Sequence, residues 1–384
     1  MSDSNNKSVA IVVCAWPPQG GGIGNNAYYH LRELKKLGYS VKAFTPKYKD
    51  TVVSGDDVEF LSPILPIGKA GFLFSLWQKL KSYDIIHLYY PFFGTDIIIF
   101  LFKLFHRHKK LVMHYEMDPV GTGLHKLAFK LHMLIVFPFM VMVSDRIGVL
   151  SWDNASGGYL KKYLDKYRNK FVELPNAIDT SIFKPEKRNN ELAKKYNIDV
   201  SDQVVVFVGG LDDQHFFKGV EVLLPAFSNV SGQLSQSKLM IIGDGNRREG
   251  YEALAKKLNI DERVVFTGWV KNEDLPDYYN LGSLFVLPST EKTESFGIVT
   301  AEAQACGLPA IVSNWPGSRT TIDDKKTGLL VEPKNINDLS EKLLQALTDN
   351  DLQKQMGEMA VSRAKEKYAW NVVIKKIDNL YKEL

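Results

Sequence analysis

The stretch Pro288–Pro309 reads PSTEKTESFGIVTAEAQACGLP, and the rest of the chain is organised around it. Ser289–Ser295 is rich in Ser, Thr and Glu and reads as a loop, while the run from about Phe296 to Cys306 reads as a helix. Gly307 and Pro309 are stop signals, because glycine suits the left-handed turn after a helix and proline cannot continue one. Upstream, Leu284–Leu287 has the length and apolarity of a buried strand. A strand, a tight loop and a helix start leave backbone N–H groups pointing outward, and such an end attracts phosphate.

Two carboxylates flank this helix start, Glu294 and Glu302. A glycosidase sets its two carboxyl groups roughly 5–9.5 Å apart across one bond, whereas eight helical steps rise about 12 Å. A wholly helical segment therefore excludes a hydrolytic pair, and the two acids are better suited to holding different parts of one extended ligand. Solvated surface glutamates are the plain alternative. Against it, Phe296, Gly297, Ile298, Val299, Ala301, Ala303 and Ala305 surround both acids.

With 384 residues the chain is long enough for two cores. Its formal charge of +4 lacks the weight of a nucleic-acid-binding protein, so no nucleic acid is expected. The two cysteines, Cys14 and Cys306, lie in apolar surroundings and suggest no disulfide framework or zinc site, which fits a reducing cytoplasm. MSDSNNKSVA carries no signal-peptide pattern. The longest uninterrupted apolar run, Met133–Val143, is too short to span a bilayer and contains Pro138. A cytoplasmic protein is the expectation. No metal motif stands out; Asp57-Val58-Glu59 lies among polar loop residues far from the signature stretch.

Lys7–Ala15 reads as a buried parallel strand that runs into WPPQGGGIGNN and a helix pattern over Ala27–Leu37. Strand, glycine-rich turn and helix form a phosphate-cradling layout. The spacing G-G-G-I-G is not the dinucleotide fingerprint, and no acid follows at ribose distance, so a nicotinamide cofactor is not expected. Strand patterns at Ser40–Thr45, Asp84–Tyr89, Lys110–His114, Arg146–Leu150 and Phe171–Leu174 mostly alternate with helix patterns. Such alternation predicts a parallel sheet with helices on both faces and ligands beyond the carboxyl ends of its strands. His114 stands at one such end. LPNAIDTSIFKP, Leu174–Pro185, reads as a linker. Ile97–Phe105, followed by HRHKK, and Lys126–Val143 pair apolar bulk with nearby cations, as a helix lying on a membrane does; a helix packed on the sheet is the alternative. The second half adds strands at Val204–Val208, at LMIIG before Asp244 and at VVFTG before Trp269, and a final amphipathic helix from Trp370 to Leu384.

ESFGIVTAEAQACGLPAI with its E-x(7)-E, VGGLDDQHFFKGVEVLL and LPNAIDTSIFKP together resemble the family 4 retaining glycosyltransferases of the GT-B fold. The resemblance implies an α/β protein of two Rossmann-like parallel-sheet domains facing each other across a cleft. Residues 1–180 would form the acceptor-side domain and 181–369 the nucleotide-sugar domain, with helix 370–384 packing back on the first. It implies transfer of a hexose from a UDP- or GDP-sugar to a hydroxyl of a lipid-linked glycan, glycolipid or polysaccharide precursor, with no cofactor or metal and with peripheral contact at the inner face of the cell membrane. Carried over residue by residue, Glu294 and His114 meet the transferred sugar and Lys218 the diphosphate. Gly21, Gly22 and Gly24 lie over the donor phosphates, and Asp244 belongs to the donor site. Val270, with Trp269, lies at the base; Phe296, Gly297 and Ile298 present N–H groups; Glu302 holds the ribose. The family usually has arginine where this chain has Gly210, so Arg319 is expected to supply that charge, with Arg247 or Arg248 as alternatives. An epimerase of the same architecture and a non-catalytic nucleotide-sugar binding protein are the rival readings.

Overall fold

Runs of β-branched residues become parallel strands, and the chain divides into two units. The computed structural model describes residues 7–17, 21–48, 55–67, 70–119 and 123–384. Unit 1 comprises Met1–Asn176 with Trp370–Leu384, and unit 2 comprises Ala177–Ala369. The division therefore falls at Asn176/Ala177, a little before the 180/181 boundary read from the sequence.

In unit 1 the strands are β1 (Ser8–Val12), β2 (Ser40–Pro46), β3 (Val58–Leu61), β4 (Ile64–Ile67), β5 (Ala70–Phe72), β6 (Ile85–Tyr90), β7 (Lys110–Tyr115), β8 (Arg146–Val149) and β9 (Phe171–Glu173). Its helices are α1 (Gly21–Lys36), α2 (Leu76–Leu80), α3 (Thr95–Phe105), α4 (Gly123–Ile135), α5 (Phe137–Val143), α6 (Trp152–Gly157) and α7 (Lys161–Leu164). The parallel sheet runs β3-β2-β1-β6-β7-β8-β9, and β4 and β5 pair as a separate antiparallel ribbon. Val9 to Val12 on β1 are fully buried, as expected for a central strand covered on both faces.

Unit 2 contains α8 (Asn190–Lys195), β10 (Gln203–Val208), α9 (Val220–Ser231), β11 (Ser237–Ile242), α10 (Arg248–Lys257), β12 (Val264–Gly268), α11 (Leu275–Tyr279), β13 (Leu284–Leu287), α12 (Ile298–Ala305), β14 (Ala310–Ser313), β15 (Gly328–Val331), α13 (Ile336–Thr348) and α14 (Asn350–Arg363). Its parallel sheet runs β12-β11-β10-β13-β14-β15. The last helix, α15 (Trp370–Glu383), returns to unit 1. It buries Val373, Ile374, Ile377, Leu380 and Tyr381, a one-face helical stripe, and lies against α1. Lys7 Nζ donates to the Tyr381 carbonyl at 2.9 Å, and Tyr39 Oη donates to Asp378 at 2.7 Å.

Two readings from the sequence need correction. Gly21, Gly22 and Gly24 are not a turn ahead of the helix; α1 begins at Gly21 and takes them into its first turn. Nor is Met133–Val143 the limit of the apolar segment. Gly123–Val143 is 21 residues long with a mean hydropathy of 1.8 and is long and apolar enough to cross a membrane. Lys126, Lys130 and His132 break the uninterrupted run, and the apolar segment read from the sequence as Lys126–Val143 covers all but its first three residues.

Candidate active site

Parallel strands deliver their following loops to one edge of a sheet. In unit 2 this edge receives Lys218 after β10, Asp244 after β11, Glu294–Ile298 after β13 and Arg319 after β14. Gly219 makes the approach of Lys218 possible. Its φ is +80°, and a Cβ there would run into the Pro288 carbonyl oxygen. The neighbouring loops are laced together: Thr290 N–H donates to the Phe217 carbonyl at 2.7 Å, and Trp315 Nε1–H donates to the Ser289 carbonyl at 3.1 Å.

Gly297 is the second forced position. It caps α12 with φ +78°, and a Cβ would lie 2.9 Å from Leu287 Cδ2. This sharp entry places the helix start directly beside the end of β13. Thr300 Oγ1, in the first turn of α12, is buried and has no hydrogen-bond partner among the described residues; Ser289 Oγ is in the same position.

At this edge Lys218 Nζ meets Glu294 Oε2 at 2.7 Å, with the two side chains 13% and 12% exposed. Glu302 lies deeper, 6% exposed, and accepts a hydrogen bond from Tyr279 Oη at 3.0 Å. Burial pushes the Glu302 carboxyl up to about 7, opposed by the Tyr279 hydrogen bond and the Lys218 charge. The result is one cation associated with two acids that differ in depth. Close to neutral pH, Glu302 can accept hydrogen bonds as a carboxylate or donate one as an acid. Tyr279, which holds it, is a contact between distant stretches that no local motif announces.

Arg319 sits half-buried on the short turn Ser318–Thr321, where Nη1 donates to Asn314 Oδ1 at 3.2 Å. This turn is held from behind. Arg363 donates to the Thr321 and Thr320 carbonyls at 3.0 and 2.6 Å, and Tyr368 Oη donates to the latter at 2.9 Å. Of the alternative cations, Arg247 pairs with Asp213 at 3.0 Å, and Arg248 pairs with Glu252 at 2.7 Å and Asp244 at 3.6 Å. At Gly210 a Cβ would lie 2.7 Å from His215 Nδ1, so the His215–Asp212 pair covers the place an arginine side chain would start from. His215 was not singled out in the sequence. Asp244 is exposed, Val270 is half-buried, and Trp269 is 67% exposed and outside the core.

In unit 1, Gly21 and Gly22 are exposed and Gly24 is buried in the first turn of α1. His114 does not stand open to a ligand. It is 1% exposed, and both ring nitrogens are engaged inside the unit. Nε2 lies 3.1 Å from the Leu174 carbonyl, so Nε2–H is the donor and Nδ1 must accept. His87 Nε2 supplies that bond at 3.2 Å, and His87 Nδ1 then accepts from Tyr381 Oη at 2.7 Å. Tyr381 Oη faces His30 Nε2 at 3.4 Å, and His30 Nδ1 accepts from Tyr89 Oη at 3.0 Å. Every ring in this chain is neutral and in one tautomer. Burial lowers His30 to about 3 and His114 to about 4, and holds His87 well below the usual histidine range. His114 thus ties β7 to β6 through His87 and to the Leu174 carbonyl after β9, with α15 joined through the His87–Tyr381 bond; the sugar contact implied for His114 would require one of these bonds to open.

The residue at the mouth of β7 is Glu116, 3% exposed, with a carboxyl pushed up to about 7 by burial against hydrogen bonds from Asn176 and Asn26. Asn26 Nδ2 donates to Asn176 Oδ1 at 2.5 Å. Glu116 Oε1 and Asn26 Oδ1 are buried without hydrogen-bond partners among the described residues.

Comparison with known proteins now bears on this geometry. Residues 188–363 match the family model described as glycosyl transferases group 1. D-inositol 3-phosphate glycosyltransferase of Corynebacterium jeikeium is 31% identical over 220 residues, covering 55% of this chain and 51% of that protein. The chain spans about half the length of the curated relatives it matches. Among solved structures, sucrose-phosphate synthase from Thermosynechococcus elongatus gives a TM-score of 0.76 at 22% identity over 98% of each chain. Anabaena HepE, crystallised with UDP and glucose, gives 0.77 at 16% identity over 98% of this chain and 100% of that one. The fold is GT-B, built of two Rossmann-like parallel-sheet domains. Residues 188–363, a little under half of the chain, are the part that is similar to the group 1 glycosyl transferases.

Proposed function

We propose that this protein transfers a hexose from a UDP- or GDP-linked sugar, with retention of anomeric configuration, to a hydroxyl of a lipid-linked glycan, glycolipid or polysaccharide precursor. The observation that carries the reading is the Lys218–Glu294 ion pair beside buried Glu302 at the start of α12. The family match over residues 188–363 supports it, as do the UDP and glucose held by the Anabaena neighbour.

The chemistry is leaving-group stabilisation. The bond from the anomeric carbon to the phosphate oxygen breaks, and negative charge grows on the diphosphate. Lys218, the N–H groups of Phe296–Ile298 and Arg319 meet that charge, and one such oriented donor is worth about 3–4 kcal/mol. The acceptor oxygen bonds to the anomeric carbon on the face the diphosphate leaves, and its proton passes to the departing phosphate oxygen. Glu302 accepts the ribose hydroxyls. Glu294, released from Lys218 as the diphosphate arrives, faces the positively charged anomeric carbon. The protein's own cations carry the charge, so chelation by EDTA is expected to leave turnover unchanged. The reaction takes place in the cytoplasm.

Incubation with labelled UDP- and GDP-hexoses, with and without a cell-lipid extract, tests the reading. Labelled product only in the presence of acceptor, with the anomeric configuration kept by NMR, is the expected result. A free, altered sugar without acceptor indicates an epimerase. Bound but unaltered donor indicates a binding protein.

A further inference from the structure

Helix α4 carries its apolar stripe outward. Leu124, Leu127, Leu131, Leu134 and Ile135 recur at helical spacing and are 85%, 55%, 47%, 66% and 57% exposed. Met133 is the residue this helix buries among those described. The face continues onto α5 through Phe139 and Met142 and onto α3 through Leu101, Leu104 and Phe105, all exposed. It is one surface: the Phe100 and Phe139 rings lie 5.5 Å apart, the Phe93 and Phe129 rings stack at 4.6 Å, and His132 Nε2 meets Asp96 Oδ2 at 2.7 Å. Isolated exposed leucines need no explanation, but a contiguous apolar surface of this size does.

Charge identifies what covers it. Residues 97–110 and 119–144 contain no Asp or Glu, yet they hold Lys103, Arg107, Lys109, Lys110, Lys126 and Lys130. Lys103 is buried and tied to Asp145, whereas Arg107, Lys126 and Lys130 are exposed around the apolar face. Apolar side chains rimmed by cations, with no carboxylate in either segment, match a bilayer bearing anionic head groups.

We propose that the face formed by α3, α4 and α5 docks on an anionic lipid bilayer, with α4 lying in the interface plane rather than crossing it. Length alone permits a crossing, since Gly123–Val143 has 21 residues and a mean hydropathy of 1.8. The inner side of the segment forbids it. Phe137, Met140 and Val141 are fully buried, and Phe137 packs 5.3 Å from the Tyr90 ring and 5.5 Å from the Tyr115 ring. Drawing the segment into a bilayer would strip these residues from the core of unit 1. The inference concerns unit 1 alone and stands or falls independently of sugar transfer.

The test is flotation of the full chain with phosphatidylcholine vesicles, with and without phosphatidylglycerol. The chain is expected to float with the anionic vesicles and more weakly with the neutral ones. Lys126→Ala with Lys130→Ala should weaken anionic-vesicle binding by about twenty-five-fold, near fivefold per lysine, and leave neutral-vesicle binding unchanged. Leu127→Glu/Leu131→Glu/Leu134→Glu should abolish flotation with the melting temperature maintained, because these side chains are already exposed in solution. Absence of flotation at low salt, or a triple variant that floats like the parent, overturns the proposal. So does a lipid-free dimer in sedimentation equilibrium that the triple variant dissolves, which would give the face to a second copy of the chain.

Discussion

Two buried polar regions of this molecule use their titratable groups in opposite ways. In unit 1, His30, His87 and His114 form a directional chain in which each ring nitrogen has an internal partner. In unit 2, Lys218 pairs directly with Glu294 and its charge also reaches Glu302, and Thr300 Oγ1 and Ser289 Oγ stand nearby in the chain without hydrogen-bond partners among the described residues. A buried group with no remaining hydrogen-bonding capacity is architecture. A charged group with capacity left over, next to the open end of a helix, is a place for a ligand. Glu116 and Glu302 sharpen the contrast. Both are buried carboxyls pushed up to about 7, but Glu302 has the Lys218 cation near it, whereas Glu116 has the Asn26 and Asn176 amides and the neutral His114 ring, whose Nε2 lies 3.8 Å from Oε1.

The comparison breaks first at Lys218. Lys218→Ala should lower kcat for sugar transfer by about 10²–10³-fold, read by steady-state kinetics, while the melting of unit 1 stays unchanged. An unaltered kcat would mean that the ion pair is architectural after all. His114→Ala should do the reverse. Leaving His87 Nε2–H and the Leu174 carbonyl buried and unpaired costs about 2–4 kcal/mol, so unit 1 should melt earlier while the folded enzyme keeps its turnover.

The pH dependence of the two units separates them further. A histidine held neutral by burial has a folded pKa below its unfolded value of about 6.5. Its unfolded form therefore binds a proton first, and stability falls as pH drops from about 6.5 toward 4. Each such histidine contributes about 1.4 kcal/mol per pH unit in that window. Glu116 and Glu302 work the other way. Their folded values are raised, so they add stability below the unfolded carboxyl range and lose it as pH rises from about 4.5 through about 7. In unit 1 three histidines oppose one carboxyl, for a net loss of about 3 kcal/mol per pH unit on acidification. In unit 2 Glu302 acts without such histidines. Calorimetry between pH about 6.5 and 4.5 should show the unit 1 transition falling and the unit 2 transition holding or rising. Parallel movement of both would contradict the assignment of neutral, closed histidines to unit 1.

Smaller effects sort the site internally. Glu294→Ala should act mainly on kcat, and Glu302→Gln should weaken donor binding by about tenfold, the loss of a charge-assisted hydrogen bond. The same Glu302 variant should remove any dependence of donor affinity on pH near 7. Arg319→Ala should raise the donor KM severalfold, and Arg247→Ala, whose cation already pairs with Asp213, should change it little. The reverse order would assign the second cation to Arg247.

The fold was legible in the sequence because buried parallel strands are written as short β-branched runs at regular intervals. SVAIV, QVVVFV and SKLMII leave little else to form. Lys218, Glu294 and Glu302 stood out through the family resemblance of the stretches that hold them, with glycine and helix signals around them. What escaped were boundaries and long-range partners. The strand read as ending at His114 runs to Tyr115, so the residue at its mouth is Glu116, two positions on and on the same face. Glycines 21, 22 and 24 suggested a turn because glycine is a poor helix former, yet α1 begins at Gly21; Gly24 packs against the Ala15 carbonyl, while Gly21 and Gly22 stay exposed. Tyr279 beneath Glu302 and Asn26 beside Asn176 come together only in the folded sheet, and no spacing along the chain encodes them.

The most direct test of the donor-site claim is calorimetric titration of UDP and GDP into the parent chain and the Lys218→Ala variant at neutral pH. One of the two nucleotides should bind the parent, and the variant should bind it about tenfold more weakly or worse, the loss of one charge-assisted contact. Equal affinity in both proteins, or no binding of either nucleotide to the parent, would contradict the placement of a departing diphosphate on Lys218 and the start of α12.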